Sequence, residues 1–156
     1  MGVEEKLKQL GLELPSAAKP MANYVPAVRT GNLVFLSGHG PLEKDRLITG
    51  KLGSDLTVEE GYQAARLVAI GLLGSLKDVI GDLERVRRIV KLLGLVNSES
   101  TFLEQPQVIN GASDLLVEVF GEKGRHARSA VGTNTLPVNI AVEIEMIVEV
   151  EDEPGA

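Results

Sequence analysis

The sequence predicts an α+β domain of order β-β-α-β-α-β, with two helices packed on one face of a single sheet. Three observations carry this. The C-terminal stretch alternates strictly, with Val138, Ile140, Val142, Ile144, Met146, Val148 and Val150 on one side. Two segments carry apolar residues at helical spacing between recognisable stop and start signals. Near the beginning, two apolar runs flank a short Gly/Asn turn, the pattern of a hairpin.

In chain order, residues 3–12 make a short helix with Leu7 and Leu10 on one side and Gly11 as its stop. Pro15 and Pro20 mark a connector. Strands are expected at 24–29 and 33–37 around Thr30-Gly31-Asn32, the second ending in Ser37-Gly38-His39-Gly40-Pro41. Thr57 and Glu60 are spaced as a capping box. The helix behind them carries Val58, Tyr62, Ala65, Ala69, Leu72, Leu73 and Leu76 and stops near Gly81. Residues 86–96 are short and β-branched at the centre, hence a strand. Gln105 to Phe120 is a helix striped by Val108, Ala112, Leu115, Leu116, Val119 and Phe120, with Gly121 as its cap. The alternating strand closes the fold. The division is an N-terminal extension at 1–23, a domain at 24–150 and a flexible tail at 151–156.

The chain has 156 residues, one domain's worth. Hydrophobic residues make up 44% and aromatics only 3%, so the core is aliphatic and a base-stacking surface is disfavoured. A net charge of −6 gains nothing from counterion release, so no nucleic-acid partner is expected. Without cysteine there is no disulfide, thiolate nucleophile or Cys-based zinc site. His39 and His126 lack metal spacing, and neither is given a role; no metal and no cofactor is expected. No apolar run is long enough for a membrane span, and a cytoplasmic protein is expected. In the third strand both faces carry large aliphatics, Ile89, Leu93 and Leu95 against Val90, Leu92 and Val96. Helices for only one face leave the other to a partner chain.

Four separated stretches resemble the Rid/YjgF family of imine/enamine deaminases. The first holds Tyr24-Val25-Pro26-Ala27-Val28, Gly31-Asn32 and Ser37-Gly38; the second runs from Ile89-Val90-Lys91 to Phe102. The third is Asn110. The fourth, and most specific, combines Ala127-Arg128-Ser129, Leu136-Pro137 and Val142-Glu143-Ile144-Glu145. The resemblance implies a chorismate-mutase-like fold, a homotrimer, and active sites in clefts between subunits. It also implies hydrolysis of a 2-imino or enamine acid of the 2-aminoacrylate type to a 2-keto acid and ammonia. Such a reaction needs a grip on the substrate carboxylate, an oriented water and stabilisation of the tetrahedral intermediate.

The residues implied are Arg128 for the carboxylate and Glu143 for the water, with Tyr24, Ser37, Gly38 and Asn110 lining the substrate site. Each has a plainer alternative. Arg128 on residue type alone reads as a surface arginine, and Glu143 as part of the solvated face that Glu145 and Glu149 share. Tyr24 reads equally as a ring at a subunit edge, Asn110 as a solvent-facing helical residue, and Ser37-Gly38 as a strand-ending turn. A triad of Ser37, His39 and a glutamate is excluded, because no nucleophile elbow or oxyanion loop accompanies it. Departures from the family pattern are Pro26, Ala130, the 132–135 stretch, one extra residue between Asn110 and Arg128, and the extension. They put substrate identity in question more than fold. A non-catalytic carboxylate-binding protein on the same fold, and more remotely a ribonuclease or translation inhibitor, are the competing functions.

Overall fold

A computed structural model describes residues 1–16 and 23–153. The expected connector lies partly at 17–22, outside those residues, as does the end of the tail at 154–156.

The described chain runs α1 (Val3–Gln9), β1 (Ala27–Thr30), β2 (Leu33–His39), the small hairpin β3 (Leu42–Glu43) and β4 (Arg46–Leu47), α2 (Val58–Ile80), β5 (Val86–Asn97), α3 (Gln105–Phe120), β6 (Ala127–Thr133) and β7 (Val142–Val150). One five-stranded sheet has the order β1-β2-β7-β5-β6, antiparallel except for the β5–β6 pair. That parallel pair requires a crossover, and α3 supplies it. Helices α2 and α3 cover one face. The α+β class, single sheet and one-sided helix layer are as the sequence predicted.

The helices form where their signals stand. Thr57 Oγ1 accepts from the Glu60 amide at 3.2 Å while the Glu60 carboxylate accepts from the Thr57 amide at 3.1 Å. Gly81 and Gly121 close α2 and α3. Between helices and sheet lies an aliphatic core. It sets Val68, Leu72, Leu76, Ile109, Leu115 and Leu116 against Val34, Leu36, Ile89, Leu92, Ile144, Met146 and Val148, each at most 4% exposed. The alternation in β7 sorts its faces as expected, with Val142, Ile144, Met146, Val148 and Val150 buried.

Two departures matter for function. Residues 127–133 form a further strand of the sheet, absent from the β-β-α-β-α-β order expected from the sequence. Ala-Arg-Ser-Ala-Val-Gly-Thr holds one large aliphatic and lies half exposed on a sheet edge, so it lacks the apolar run that marks buried parallel strands. The second departure precedes β7. Val138 and Ile140 do not continue the strand: Pro137–Asn139 make a 3-10 turn, with φ 47° at Val138 and 62° at Asn139. Ile140 instead bridges to Thr49, and Val138 is 69% exposed. Proline at the head of the turn breaks the ladder that alternation alone suggested.

The sheet's other face is apolar and uncovered. Val28, Leu33, Phe35 and Val131 are 54, 36, 41 and 44% exposed, with Leu93, Leu95 and Ile147 half-buried among them.

Candidate functional site

At the open face, β2 and β7 fall out of register. Leu36 pairs with Met146 and His39 with Ile144, so Ser37 and Gly38 together oppose Glu145. This is a β-bulge, the device that re-aims chain at sheet edges and sites, rather than the strand end expected from the sequence. Ser37 Oγ donates to the Val25 carbonyl at 2.7 Å and its amide to Pro26 O at 2.9 Å, pinning the segment before β1. Tyr24, in that segment, is 51% exposed.

Glu143 lies beside the bulge. A Cβ on Gly38 would stand 2.9 Å from its carboxyl carbon, so glycine is what allows the approach. The carboxylate is half-buried and makes no hydrogen bond or ion pair among the described residues. Burial, and next the charge of Glu145, push its carboxyl above the ordinary value. Gly38→Ala moves a flexible carboxylate rather than backbone. The expected result is a displaced Glu143 side chain with Tm within about 3 °C of wild type, checked by a crystal structure of the variant beside calorimetry.

A second group gathers where α3 meets β6. Arg128 Nη1 donates to Ser113 Oγ at 2.9 Å, and Nη2 reaches the Pro106 carbonyl at 3.4 Å. Two of its five N–H donors are thus used, and among the described residues no carboxylate pairs with it. Asn110 lies on the same helix face, between Pro106 and Ser113 in spacing, and its side chain makes no hydrogen bond among the described residues. Ser113 escaped the sequence reading; its i+3 spacing from Asn110 was the available signal.

These two groups do not meet within one chain. Arg128 is in register with Leu92 and, across β5, with Met146, on the helix-covered side. Glu143 is in register with Leu95, on the open side. Two strand spacings and three residues separate them, roughly 10 Å in each direction, with the sheet between. Of the residues expected at the site, Tyr24, Ser37, Gly38 and Glu143 fall in one region and Asn110 and Arg128 in another.

The histidines lie elsewhere than in the open-face region. His39 turns to the helices, with Nδ1 2.6 Å from Ser37 O and Nε2 2.7 Å from Ser75 Oγ. Burial holds it below its ordinary pKa. His126 contacts Ser113. Two clefts of about 450 Å³, one between α1 and α2 and one between α2 and the β3–β4 hairpin, contain none of the site residues. Among the described residues no three His, Asp or Glu side chains are placed to hold a metal ion, and no helix is long and apolar enough to cross a membrane.

Comparison with known proteins gives concordant matches. Residues 4–150 match the family model described as YjgF/chorismate mutase-like, putative endoribonuclease. The chain is 47% identical to Protein TCP17 of Trypanosoma cruzi over 96% of its own length and 95% of that protein's. It is 27% identical to a 2-iminobutanoate/2-iminopropanoate deaminase of Dermatophagoides farinae, covering 90% and 95%. The crystal structure of a putative endoribonuclease from Shewanella oneidensis MR-1 superposes with a TM-score of 0.93 at 37% identity, covering 96% of this chain and all of that one.

Proposed function

The chain belongs to the YjgF/chorismate-mutase-like family, and on that premise we propose that it hydrolyses 2-imino or enamine acids to 2-keto acids and ammonia. Deaminase is the named activity of one similar protein. The observation that carries the proposal is the Glu143 carboxylate: half-buried, unpaired among the described residues, and packed against Gly38 at a distance a side chain there would not allow. A carboxylate so placed accepts a proton from an attacking water and returns it to the departing nitrogen. The imine carbon is already electrophilic, so no metal need polarise it.

Arg128 takes the substrate carboxylate through its three remaining donors, two of them able to form a fork. Because the two regions, each a half-site, stand on opposite sides of one sheet, the site is assembled between copies. The Arg128–Asn110 edge of one copy faces the Glu143–Tyr24 surface of the next. A closed ring of such contacts covers the apolar open face of every copy, and a homotrimer is the arrangement proposed. A protein that binds a small carboxylate without turnover would use the same half-sites.

Ammonia release from 2-iminobutanoate, generated in situ by an amino-acid oxidase, decides between the two. Acceleration above the spontaneous rate is expected; a protein that binds 2-oxobutanoate but gives no acceleration is a binding module.

The pH profile adds a check on Glu143. A base works deprotonated, so activity is lost as pH falls through its pKa, and that pKa lies above 4.5. The acidic limb of kcat/KM is therefore expected above pH 4.5. Glu145→Gln, which removes a neighbouring negative charge, moves the limb to lower pH, and Glu143→Gln abolishes it from the remaining activity. A limb unmoved by either change assigns the titration to another group.

A further inference from the structure

Arg128 is held by a chain of hydrogen bonds whose direction is fixed from its far end. His126 Nδ1 lies 2.7 Å from the Gly124 carbonyl, which can only accept, so Nδ1 carries the proton. The neutral ring then offers its Nε2 lone pair, 2.9 Å from Ser113 Oγ, and the Ser113 hydroxyl donates to it. This turns the oxygen's lone pairs toward Arg128 Nη1, at 2.9 Å. Burial and the Arg128 charge both keep His126 below its ordinary pKa, so the ring stays neutral at neutral pH and the chain keeps its sense.

We propose that Ser113 and His126 are positioning residues, which fix the Arg128 guanidinium for capture of the substrate carboxylate. The proposal rests on the functional reading above for the identity of that carboxylate.

A nucleophilic Ser–His pair is the other chemistry such contacts suggest, and the molecule carries its own comparison. His39 repeats the arrangement, Nδ1 to the carbonyl two residues earlier and Nε2 to the hydroxyl of Ser75, which is 1% exposed. There it fastens a strand to α2 and nothing more. At Ser113 the same clasp fastens α3, but a third group joins it, and that group is the guanidinium. Ser113 sits mid-helix, without the exposed turn and oxyanion donors that a nucleophile requires. What distinguishes it is the cation it holds.

The test uses Ser113→Ala, His126→Leu and His126→Gln in the full chain, the last retaining an amide oxygen able to accept the Ser113 proton. Binding of 2-oxobutanoate is measured by calorimetry and turnover with in situ 2-iminobutanoate. Ser113→Ala and His126→Leu are expected to weaken binding and raise KM by about tenfold, the effect of one charge-assisted hydrogen bond, with kcat changed by less than about twofold. His126→Gln falls between wild type and His126→Leu. Unchanged KM in all three overturns the proposal.

A second measurement is independent of ligand. Nitrogen-15 relaxation of the Arg128 side chain is expected to report a rigid guanidinium in wild type and a mobile one in Ser113→Ala, at similar Tm. Equal rigidity overturns the positioning role. If wild type binds no 2-keto acid, the functional reading fails while the relaxation measurement still decides the role of Ser113.

Discussion

Arg128→Ala is expected to lower kcat/KM for a 2-imino acid by two to three orders of magnitude and to leave the fold intact. Removing one side of a hydrogen-bonded charge pair costs about 3–4 kcal/mol, and each 1.36 kcal/mol is a factor of ten. Most of the loss should appear in KM, because the carboxylate is present in the bound substrate and in the transition state alike. Stability tells a different story. Arg128 is half-exposed on an edge strand and forms two hydrogen bonds, one of them long. Their loss is worth about 1–2 kcal/mol, so Tm falls by only a few degrees. Arg128→Lys is not a rescue: a single ammonium cannot hold Ser113 and present a fork to the ligand at once. A variant as active as wild type, with a wild-type Tm, removes Arg128 from the site.

That prediction depends on a geometry the sequence only partly discloses. Local signals were legible: Thr57 and Glu60 announce α2, and Gly121 ends α3 where expected. Alternation placed Glu143 on the polar face of its strand. What sequence reading missed was long-range. Ala127–Thr133 has too little apolar character to declare itself a strand, because on an edge it buries only one flank. Without that strand, nothing in the sequence says which side of the sheet Arg128 takes relative to Glu143. With it, they face opposite ways, a separation that only the register of the three strands discloses. The bulge at Ser37 and Gly38 is similar. Ser-Gly-His-Gly-Pro looks like a terminator, and only the pairing with β7 shows one residue being slipped in. His126 was visible but mute, since its partner Ser113 lies on another element.

Glycine shows the same limit in its sharpest form, in two mid-helix positions that sequence cannot tell apart. Gly111 in α3 and Gly71 in α2 both cost helix propensity, about 1 kcal/mol against alanine. At Gly71 an added Cβ would meet only His39 Cδ2 at 3.9 Å, an ordinary contact. Gly71→Ala is therefore expected to stabilise by up to about 1 kcal/mol. At Gly111 the Cβ would fall 1.9 Å from the Tyr62 carbonyl oxygen and 3.1 Å from the Arg66 nitrogen. Both are backbone atoms inside the N-terminal half of α2, so no rotamer change relieves them and the helices must part. Separation opens the layer that buries Ala65, Leu72, Leu115 and Leu116 and strains the Tyr62–Asp114 hydrogen bond of 2.7 Å across the same crossing. Gly111→Ala is expected to cost more than about 3 kcal/mol, lowering Tm by roughly 10 °C or leaving the protein insoluble. Thermal unfolding of the two variants side by side makes the comparison, one rising and one falling for the same substitution. If both rise, α2 and α3 do not touch backbone to backbone at Gly111, and the packing that sets Ser113 against β6 must be redrawn.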